Sequence, residues 1–413
     1  MVSKTLPDGW WISKLGDLGQ VVTGKTPPTK HREYYGGETP FITPTDMDGR
    51  KVIDTTERYL TEKGGQSVRS SLIPTGAVFV SCIGSDMGKV GIAGTSSVTN
   101  QQINSIIVEP PNDPEYVYYQ LSARKDEFQR LATSGSAQPI LNKGHFSELE
   151  IILPPPDEQR AIAHILGTLD DKIELNRQMN QTLEAMAQTL FKSWFMDFEP
   201  FRDQGMQDSP LGEIPVGWKV EPLDKIAHFL NGLALQKYPP EGDEFLPVIK
   251  IVELRRGVSE SSGKASSLID KAYIVQDGDI LFSWSGSLEV CIWCGGKGAL
   301  NQHLFKVTST AYPKWFYYHW IKYHLPEFQA IAAGKATTMG HIQRYHLSSA
   351  LVVIPPKNVL ETMDKMISPL LDRMINNNLE SHTLASIRDT LLPKLLSGEI
   401  RVKDAEKFVE GKI

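Results

Sequence analysis

The sequence predicts an α+β chain of two similar mixed globular domains, each followed by a long helix, in an internal repeat. Three observations predict it. The chain repeats itself at a period of about 200 residues, too long for a solenoid unit and right for a domain. Short apolar runs between Gly- and Ser-rich turns read as strands within each copy. Each copy then closes on a proline-flanked strand that gives way to a run with apolar residues at alternating steps of three and four.

The first copy opens Pro7-Asp8-Gly9-Trp10, then Leu15, Leu18 and Thr23-Gly24; the second opens Pro215-Val216-Gly217-Trp218, then Leu223, Ile226 and Asn231-Gly232, at identical spacing. Gly76-Ala77-Val78-Phe79-Val80-Ser81 answers Gly278-Asp279-Ile280-Leu281-Phe282-Ser283, and Asn100-Gln101 answers Asn301-Gln302. Tyr118-Tyr119 with Phe128-Gln129, and Tyr317-Tyr318 with Phe328-Gln329, stand at helical spacing. Leu149 to Pro156 and Leu351 to Pro356 are the closing strands.

The first helical seam is Ile162, Leu166, Leu169, Ile173, Asn176, Asn180, Leu183, Ala187, Leu190 and Trp194. The second is Met363, Ile367, Leu370, Met374, Asn377, Ser381, Leu384, Arg388, Leu391 and Leu395. They align position for position. Asp157 and Glu158 suit a first turn, where carboxylates oppose the helix dipole, and a seam Asn at equivalent positions fixes register at a cost in stability. Pro369 predicts a kink near the start of the second helix, or a delayed start. Each helix of about 35 to 40 residues would be roughly 50 to 60 Å long. The expected boundaries are a globular domain over 1–153, a helix over 154–199, a linker over 200–214 holding Pro200, Gly205, Pro210 and Gly212, a second domain over 215–354, a helix over 355–398 and a tail over 399–413.

Composition bounds the class. With 40% hydrophobic and 22% charged residues the chain is globular, and no apolar run approaches the roughly 18 residues of a membrane span. The opening residues lack a secretory h-region, and the three cysteines Cys82, Cys291 and Cys294 are too few and odd for a disulfide framework, so the expected compartment is the cytoplasm. A net charge of −6 argues against a uniformly basic nucleic-acid binder and requires any basic footprint to be confined to one face.

Two stretches carry a family resemblance. Pro154-Pro155-Pro156-Asp157-Glu158-Gln159-Arg160-Ala161-Ile162-Ala163, followed by Leu169-Asp170-Asp171-Lys172-Ile173-Glu174-Leu175-Asn176, resembles the central region of the specificity subunits of type I restriction–modification systems. Leu391-Leu392-Pro393-Lys394-Leu395-Leu396-Ser397-Gly398-Glu399-Ile400 resembles their distal region. The resemblance implies two target recognition domains, each reading one half of a split double-stranded DNA site, joined by two helices in an antiparallel coiled coil. It further implies two docked methyltransferase (modification) subunits, joined by restriction (motor-nuclease) subunits. S-adenosylmethionine and ATP-Mg would be held by those partners and no cofactor by this chain, which would itself be non-catalytic.

Other motifs point to enzymes less well. Gly19-Gln20-Val21-Val22-Thr23-Gly24-Lys25-Thr26 fits the phosphate-loop pattern, which needs a helix starting at its Lys-Thr end. Pro27-Pro28 oppose that helix. Asp157 with Asp170-Asp171-Lys172 mimics a nuclease triad but lies on one helix, where surface charge is the better reading. Cys291 and Cys294 lack the second ligand pair of a zinc site, and in an alternating strand would face opposite ways. No methyltransferase amino-group box is present, because no proline pair is followed by an aromatic residue. A coiled-coil scaffold binding proteins is the alternative, with a phosphate-loop nucleotide binder behind it.

Bases are read by Arg, Lys, Asn and Gln, while phosphates are held by Lys, Arg, hydroxyls and backbone N–H groups. The DNA-contact candidates in the first copy are Thr23, Lys25, Thr26, Lys30, His31, Arg32, Tyr34, Thr45, Arg50, Ser85, Lys89, Gln101, Gln102 and Asn104. In the second they are Lys237, Tyr238, Lys250, Arg255, Arg256, Trp284, Ser285, Asn301, Gln302, His303, Lys335, Thr337, Thr338 and His341. Asn100-Gln101 and Asn301-Gln302 recur and have a structural reading too, as pins of a shared turn. The two sets differ in residue type, which predicts an asymmetric target.

Overall fold

The computed structural model describes residues 6–133, 141–334 and 340–405. It divides into two compact units, Met1–Glu174 with Thr383–Ile413, and Leu175–His382. Each is described by itself.

In the first unit the opening strand Trp11–Lys14 pairs antiparallel with the closing strand Glu150–Leu153. A five-stranded sheet runs in the order Gly19–Thr23, Ile103–Val108, Val78–Ser81, Val90–Ala93, Val52–Ile53. A four-stranded sheet follows the order Tyr59–Leu60, Tyr35–Ile42, Ser97–Thr99, Leu72–Ile73, with Phe41 and Ile42 parallel to Val98 and Thr99. Val78–Ser81 is buried along its whole length, so it reads as an unbroken apolar run instead of an alternation. Asp113 caps the helix Pro114–Ser122, its carboxylate accepting from the Tyr116 N–H at 2.9 Å, and that helix lays Tyr116, Val117 and Leu121 into the core.

The second unit repeats this plan. Lys219–Pro222 pairs with Leu351–Ile354. One sheet runs His228–Asn231, Leu304–Thr308, Ile280–Ser283, Val290–Ile292; the other runs Lys264–Ser266, Phe245–Ile249, Gly298–Leu300, Ile274–Val275, again with one parallel pair. Strand for strand the topologies match, save for the extra edge strand Val52–Ile53 in the first unit and the hairpin Met206–Ser209 with Gly212–Pro215 in the second, which stands where the sequence reads as a linker; Phe201 and Ile214 of that stretch are buried in the unit's core. The helix Lys314–Ala333 is continuous through Pro326, whereas its counterpart in the first unit is split into Pro114–Ser122 and Lys125–Thr133.

Two helices of 40 residues each, Pro156–Phe195 and Lys357–Leu396, follow the closing strands. In the first unit Ile162, Ala163 and Leu166 of the central helix share one core with Ile387, Leu391 and Leu395 of the distal helix. In the second, Met363, Ile367 and Leu371 share a core with Ala187, Phe191 and Phe195. Within each unit the helices run antiparallel: Asp170 meets Arg388 in the first, while Asn176 meets Asn377 and Ser381, and Asn180 meets Met374, in the second.

The seam departs from its sequence reading at several places. Leu169, Ile173, Leu183, Leu190, Leu370, Met374 and Leu384 are only half-buried, and Phe191, Phe195, Leu371 and Ile387 lie deeper than the residues expected beside them. A helix at 3.6 residues per turn drifts about 20° per heptad against a strict seven-residue repeat, so the buried stripe moves on by one residue. The ends of both stripes also enter the domain cores instead of facing a helix alone. Pro369 neither delays nor interrupts the distal helix, which begins at Lys357; its ring is exposed, and Met363, Ile367 and Leu371 hold the turns around it. Asn176 and Asn377 are fully buried. The Asn377 amide donates to Asn180 Oδ1 at 2.9 Å, and the Asn180 amide to Asn378 Oδ1 at 2.7 Å. Such a polar layer fits one register, because sliding either helix strands its amides.

Two buried histidines give the second unit a pH dependence. His319 stacks on Phe191 with Nδ1 2.8 Å from the Trp315 carbonyl, and His324 Nε2 lies 2.9 Å from the Leu351 carbonyl. Burial holds both below the ordinary imidazole range, so both fold neutral. The unfolded chain takes up protons near pH 6.5 and the folded chain does not, so stability is full above that value and is lost as pH falls through it. Urea midpoints are expected to be lower at pH 5.5 than at pH 7.5, and His324→Gln to flatten the difference.

Candidate nucleic-acid interface

The two units place their loops by one shared set of main-chain bonds. Gly24 N–H donates to the Ile103 carbonyl as Gly232 does to Leu304, and Lys25 to Thr99 as Leu233 to Leu300. Cys82 donates to Gln102 as Trp284 to His303; Leu141 to Cys82 as Ile342 to Trp284; Asn100 to Ile42 as Asn301 to Ile249. The Asn side chains complete the turn: Asn100 Oδ1 accepts from Gln102 N–H at 3.1 Å and Asn301 Oδ1 from His303 N–H at 3.2 Å. Both Asn are buried, so each pins a turn and Asn301 is not presented to a ligand. Glycine is required opposite, because a Cβ on Gly24 would stand 2.0 Å from the Asn100 carbonyl oxygen and one on Gly232 2.2 Å from that of Asn301.

Over this frame the first unit brings together Thr23, Lys25, Thr26, Gln101, Gln102 and Asn104. Thr26 Oγ1 donates to Gln101 Oε1 at 2.6 Å, and Thr23 Oγ1 to Asn104 Oδ1 at 2.7 Å. Asn104 is buried and its amide is spent on the Leu141 carbonyl at 2.9 Å, so it supports the surface from below. His31 stacks on Tyr34 and pairs with Glu33 at 2.9 Å. Thr45 is exposed with its hydroxyl 2.8 Å from that of Thr43. Ser85 lies in the turn Gly84–Asp86 after the buried strand Val78–Ser81.

The second unit gathers Trp284, Ser285, Gln302, His303 and His341. Trp284 Nε1 donates to Asn231 Oδ1 at 2.9 Å, its ring lies 5.9 Å from His303 and 6.2 Å from His341, and Ser285 Oγ is 2.9 Å from His303 Nδ1. Asn231 belongs to this group and was missed; its signal was the alignment of Asn231-Gly232 with Thr23-Gly24. Tyr238 is exposed, its carbonyl accepting from Ser266. Lys335, Thr337 and Thr338 lie outside the described residues.

Ion pairs sort the candidate cations. Arg50 is tied to Asp48 and Asp54, Lys89 to Asp86 and the Pro44 carbonyl, and Arg255 to Glu289. Lys25, Lys30 and Arg32 in the first unit, and Lys237, Lys250 and Arg256 in the second, are exposed and enter no ion pair among the described residues.

The enzyme-like motifs resolve into structure. Gly19–Thr23 is a sheet strand, no helix follows Thr26, and the N–H groups of Gly24 and Lys25 are spent on protein carbonyls, so no phosphate cradle forms. Asp170 is not surface charge, contrary to the sequence reading: it accepts from Tyr119 Oη at 2.6 Å and from Arg388 at 2.5 Å, with 10% of its side chain exposed. Asp171 and Glu115 hold Lys51 at 2.9 and 3.6 Å. Burial pushes the Cys291 thiol up to about 12 and raises Cys294, which keeps both protonated and unreactive near neutrality. No group of three His, Cys, Asp or Glu with metal-binding geometry occurs among the described residues, and no described helix is long and apolar enough to cross a membrane.

A duplicated sheet-and-helix unit, with one main-chain frame beneath two different sets of polar and aromatic side chains, defines a tandem recognition protein. Comparison with known proteins gives the family. The type I restriction modification DNA specificity domain matches residues 7–185 and again 215–389. The MjaIX type I restriction enzyme specificity subunit of Methanocaldococcus jannaschii is 33% identical over 97% of this chain and 95% of its own length. The HindI specificity subunit of Haemophilus influenzae is 35% identical over 42% of this chain and 39% of its own. In fold, the crystal structure of the type I S subunit from M. genitalium superposes with a TM-score of 0.56 at 15% identity, covering 96% of this chain and 97% of that one. The chain therefore belongs to the specificity subunits of type I restriction–modification systems.

Proposed function

We propose that this chain selects the DNA sequence on which a type I restriction–modification complex acts, each unit reading one half of a split, asymmetric site in double-stranded DNA. The observation that carries this is the shared frame with unlike side chains at equivalent places: Thr23 against Asn231 and Gln102 against His303. Base readout needs such substitutions, and fold maintenance does not. The helices serve as the spacer between half-sites and as docking surface for two methyltransferase subunits, with motor-nuclease subunits joining them; S-adenosylmethionine and ATP-Mg act on those partners. This chain contributes selection and no bond-making step, and its place of action is the cytoplasm.

Two experiments test the reading. Each exposed cation that meets a phosphate adds about −0.9 to the slope of log affinity against log salt. Replacing Lys25, Lys30 and Arg32 with Ala together is expected to weaken DNA binding and flatten that slope, while Lys89→Ala leaves the slope unchanged; equal slopes for all variants would refute the assignment. Inserting four residues into each helix, about 6 Å at 1.5 Å per residue, is expected to widen the gap between half-sites by one or two base pairs of about 3.4 Å, read by mapping methylated sites in the assembled complex. An unchanged gap would end the spacer reading.

A further inference from the structure

Each unit is built from both repeats, and three ion pairs that join the repeats within a unit have the same sidedness. In the first unit Asp170 of the first repeat takes Arg388 of the second at 2.5 Å, and Glu158 takes Arg401 at 3.0 Å. In the second unit Glu184 of the first repeat takes Lys322 of the second, which also lies 5.3 Å from the Tyr318 ring. The first repeat supplies the acid and the second the base in all three of these pairs. The side chains of Asp170, Glu184, Arg388 and Lys322 are 10%, 17%, 28% and 28% exposed, so water does little to relieve any of them if left alone.

Their counterparts in the other repeat are uncharged. Asp170 aligns with Leu371, and Lys322 with Ala123. Arg388 aligns with Ala187 without a gap, or with Gln188 when the buried Ala187, Phe191 and Phe195 are matched to Ile387, Leu391 and Leu395; Glu184 aligns with Ala385 or Leu384 by the same two matchings. Two first repeats brought together would leave Asp170 and Glu184 facing neutral side chains. Two second repeats would leave Lys322 without an acid and Arg388 with Asp389 alone. The apolar parts of the seam offer no such discrimination, since both repeats present aliphatic and aromatic residues there.

We propose that these pairs make recognition between the repeats heterotypic: a first repeat binds a second repeat, of its own chain or of another copy, and rejects a copy of itself. The preference stands on contacts within each unit and is independent of which DNA is read. It works through the penalty on the wrong pairing, since an unpaired buried charge costs more than its pair contributes.

The test uses two full-length chains, Asp170→Lys with Glu184→Lys, and Lys322→Glu with Arg388→Glu. Each is refolded from urea alone and then with the other at equal concentration, and products are weighed by native mass spectrometry. Each chain alone is expected to give little folded monomer, the mixture a one-to-one dimer exchanged through the 200–214 segment in at least about tenfold excess over either homodimer, and the chain carrying all four changes a monomer. Wild-type-like monomer from either chain alone would overturn the proposal, as would a folding four-fold chain whose halves give no mixed dimer. If the four-fold chain does not fold, Asp170→Asn with Glu184→Gln decides: concentration-dependent self-association on refolding supports the proposal, and monomer at every concentration overturns it.

Discussion

Asp170→Ala is expected to lower the melting temperature by roughly 6–12 °C. The carboxylate is the acceptor for Tyr119 Oη and the partner of Arg388, and removing it leaves a part-buried guanidinium and a buried hydroxyl without their acceptor. Breaking a buried pair from one side costs about 3–5 kcal/mol; Arg388 keeps Asp389 at 2.8 Å, which argues for about 3 kcal/mol. At roughly 2–4 °C per kcal/mol for a unit of this size, the shift follows. Asp170 raises the proton affinity of Arg388 against the opposing effect of burial, so the guanidinium stays charged and cannot escape by neutralising. Asp170→Leu combined with Arg388→Ala, the pairing that Leu371 and Ala187 represent in the other repeat, should recover most of the loss. Thermal melts of the three variants check this, and an unchanged melt for Asp170→Ala would show the network to be idle.

The second large effect is expected at the paired glycines. A methyl group on Gly24 would lie 2.0 Å from the Asn100 carbonyl oxygen and 2.5 Å from that of Thr99; on Gly232 it would lie 2.2 and 2.6 Å from those of Asn301 and Leu300. Backbone atoms cannot turn aside as a side chain can, so overpacking here belongs at about 3 kcal/mol, the upper end of its usual range. Gly24→Ala should open the first unit and Gly232→Ala the second. Limited proteolysis with mass mapping reads this directly: new cleavage confined to one unit in each variant is the expected result, and indifference of both units to either change would refute it.

Much of this architecture was legible because the chain states it twice. The equal spacing of Thr23-Gly24 and Asn231-Gly232, and the return of Asn-Gln near residues 100 and 301, marked one crossing of strands in both copies; the structure shows glycine yielding to a carbonyl there and Asn closing the turn. Alternating threes and fours gave both helices. The phase of their buried faces was less legible, since Phe191 and Phe195 are chosen by the domain core they enter and not by the opposing helix alone. Asp170 read as surface charge because its partner is 218 residues away and no local pattern names it. Among the candidate readers, Asn104 carries the residue type of a base contact yet serves the interior; Arg255 is held by Glu289, 34 residues away, which only tertiary structure brings near, while Arg50 and Lys89 are held by acids within four residues of them.

The crossing beneath each reading surface has a consequence for how such proteins diversify. It is secured by main-chain carbonyls, one asparagine and one glycine, so residues beside it such as Thr26 and Gln101 carry little of the fold's integrity, whereas Trp284 also packs against the second unit's core. On the function proposed above, point changes at those places are expected to alter preference for a base while the scaffold stays whole, and separate crossings in the two copies let one half of a target drift while the other is kept.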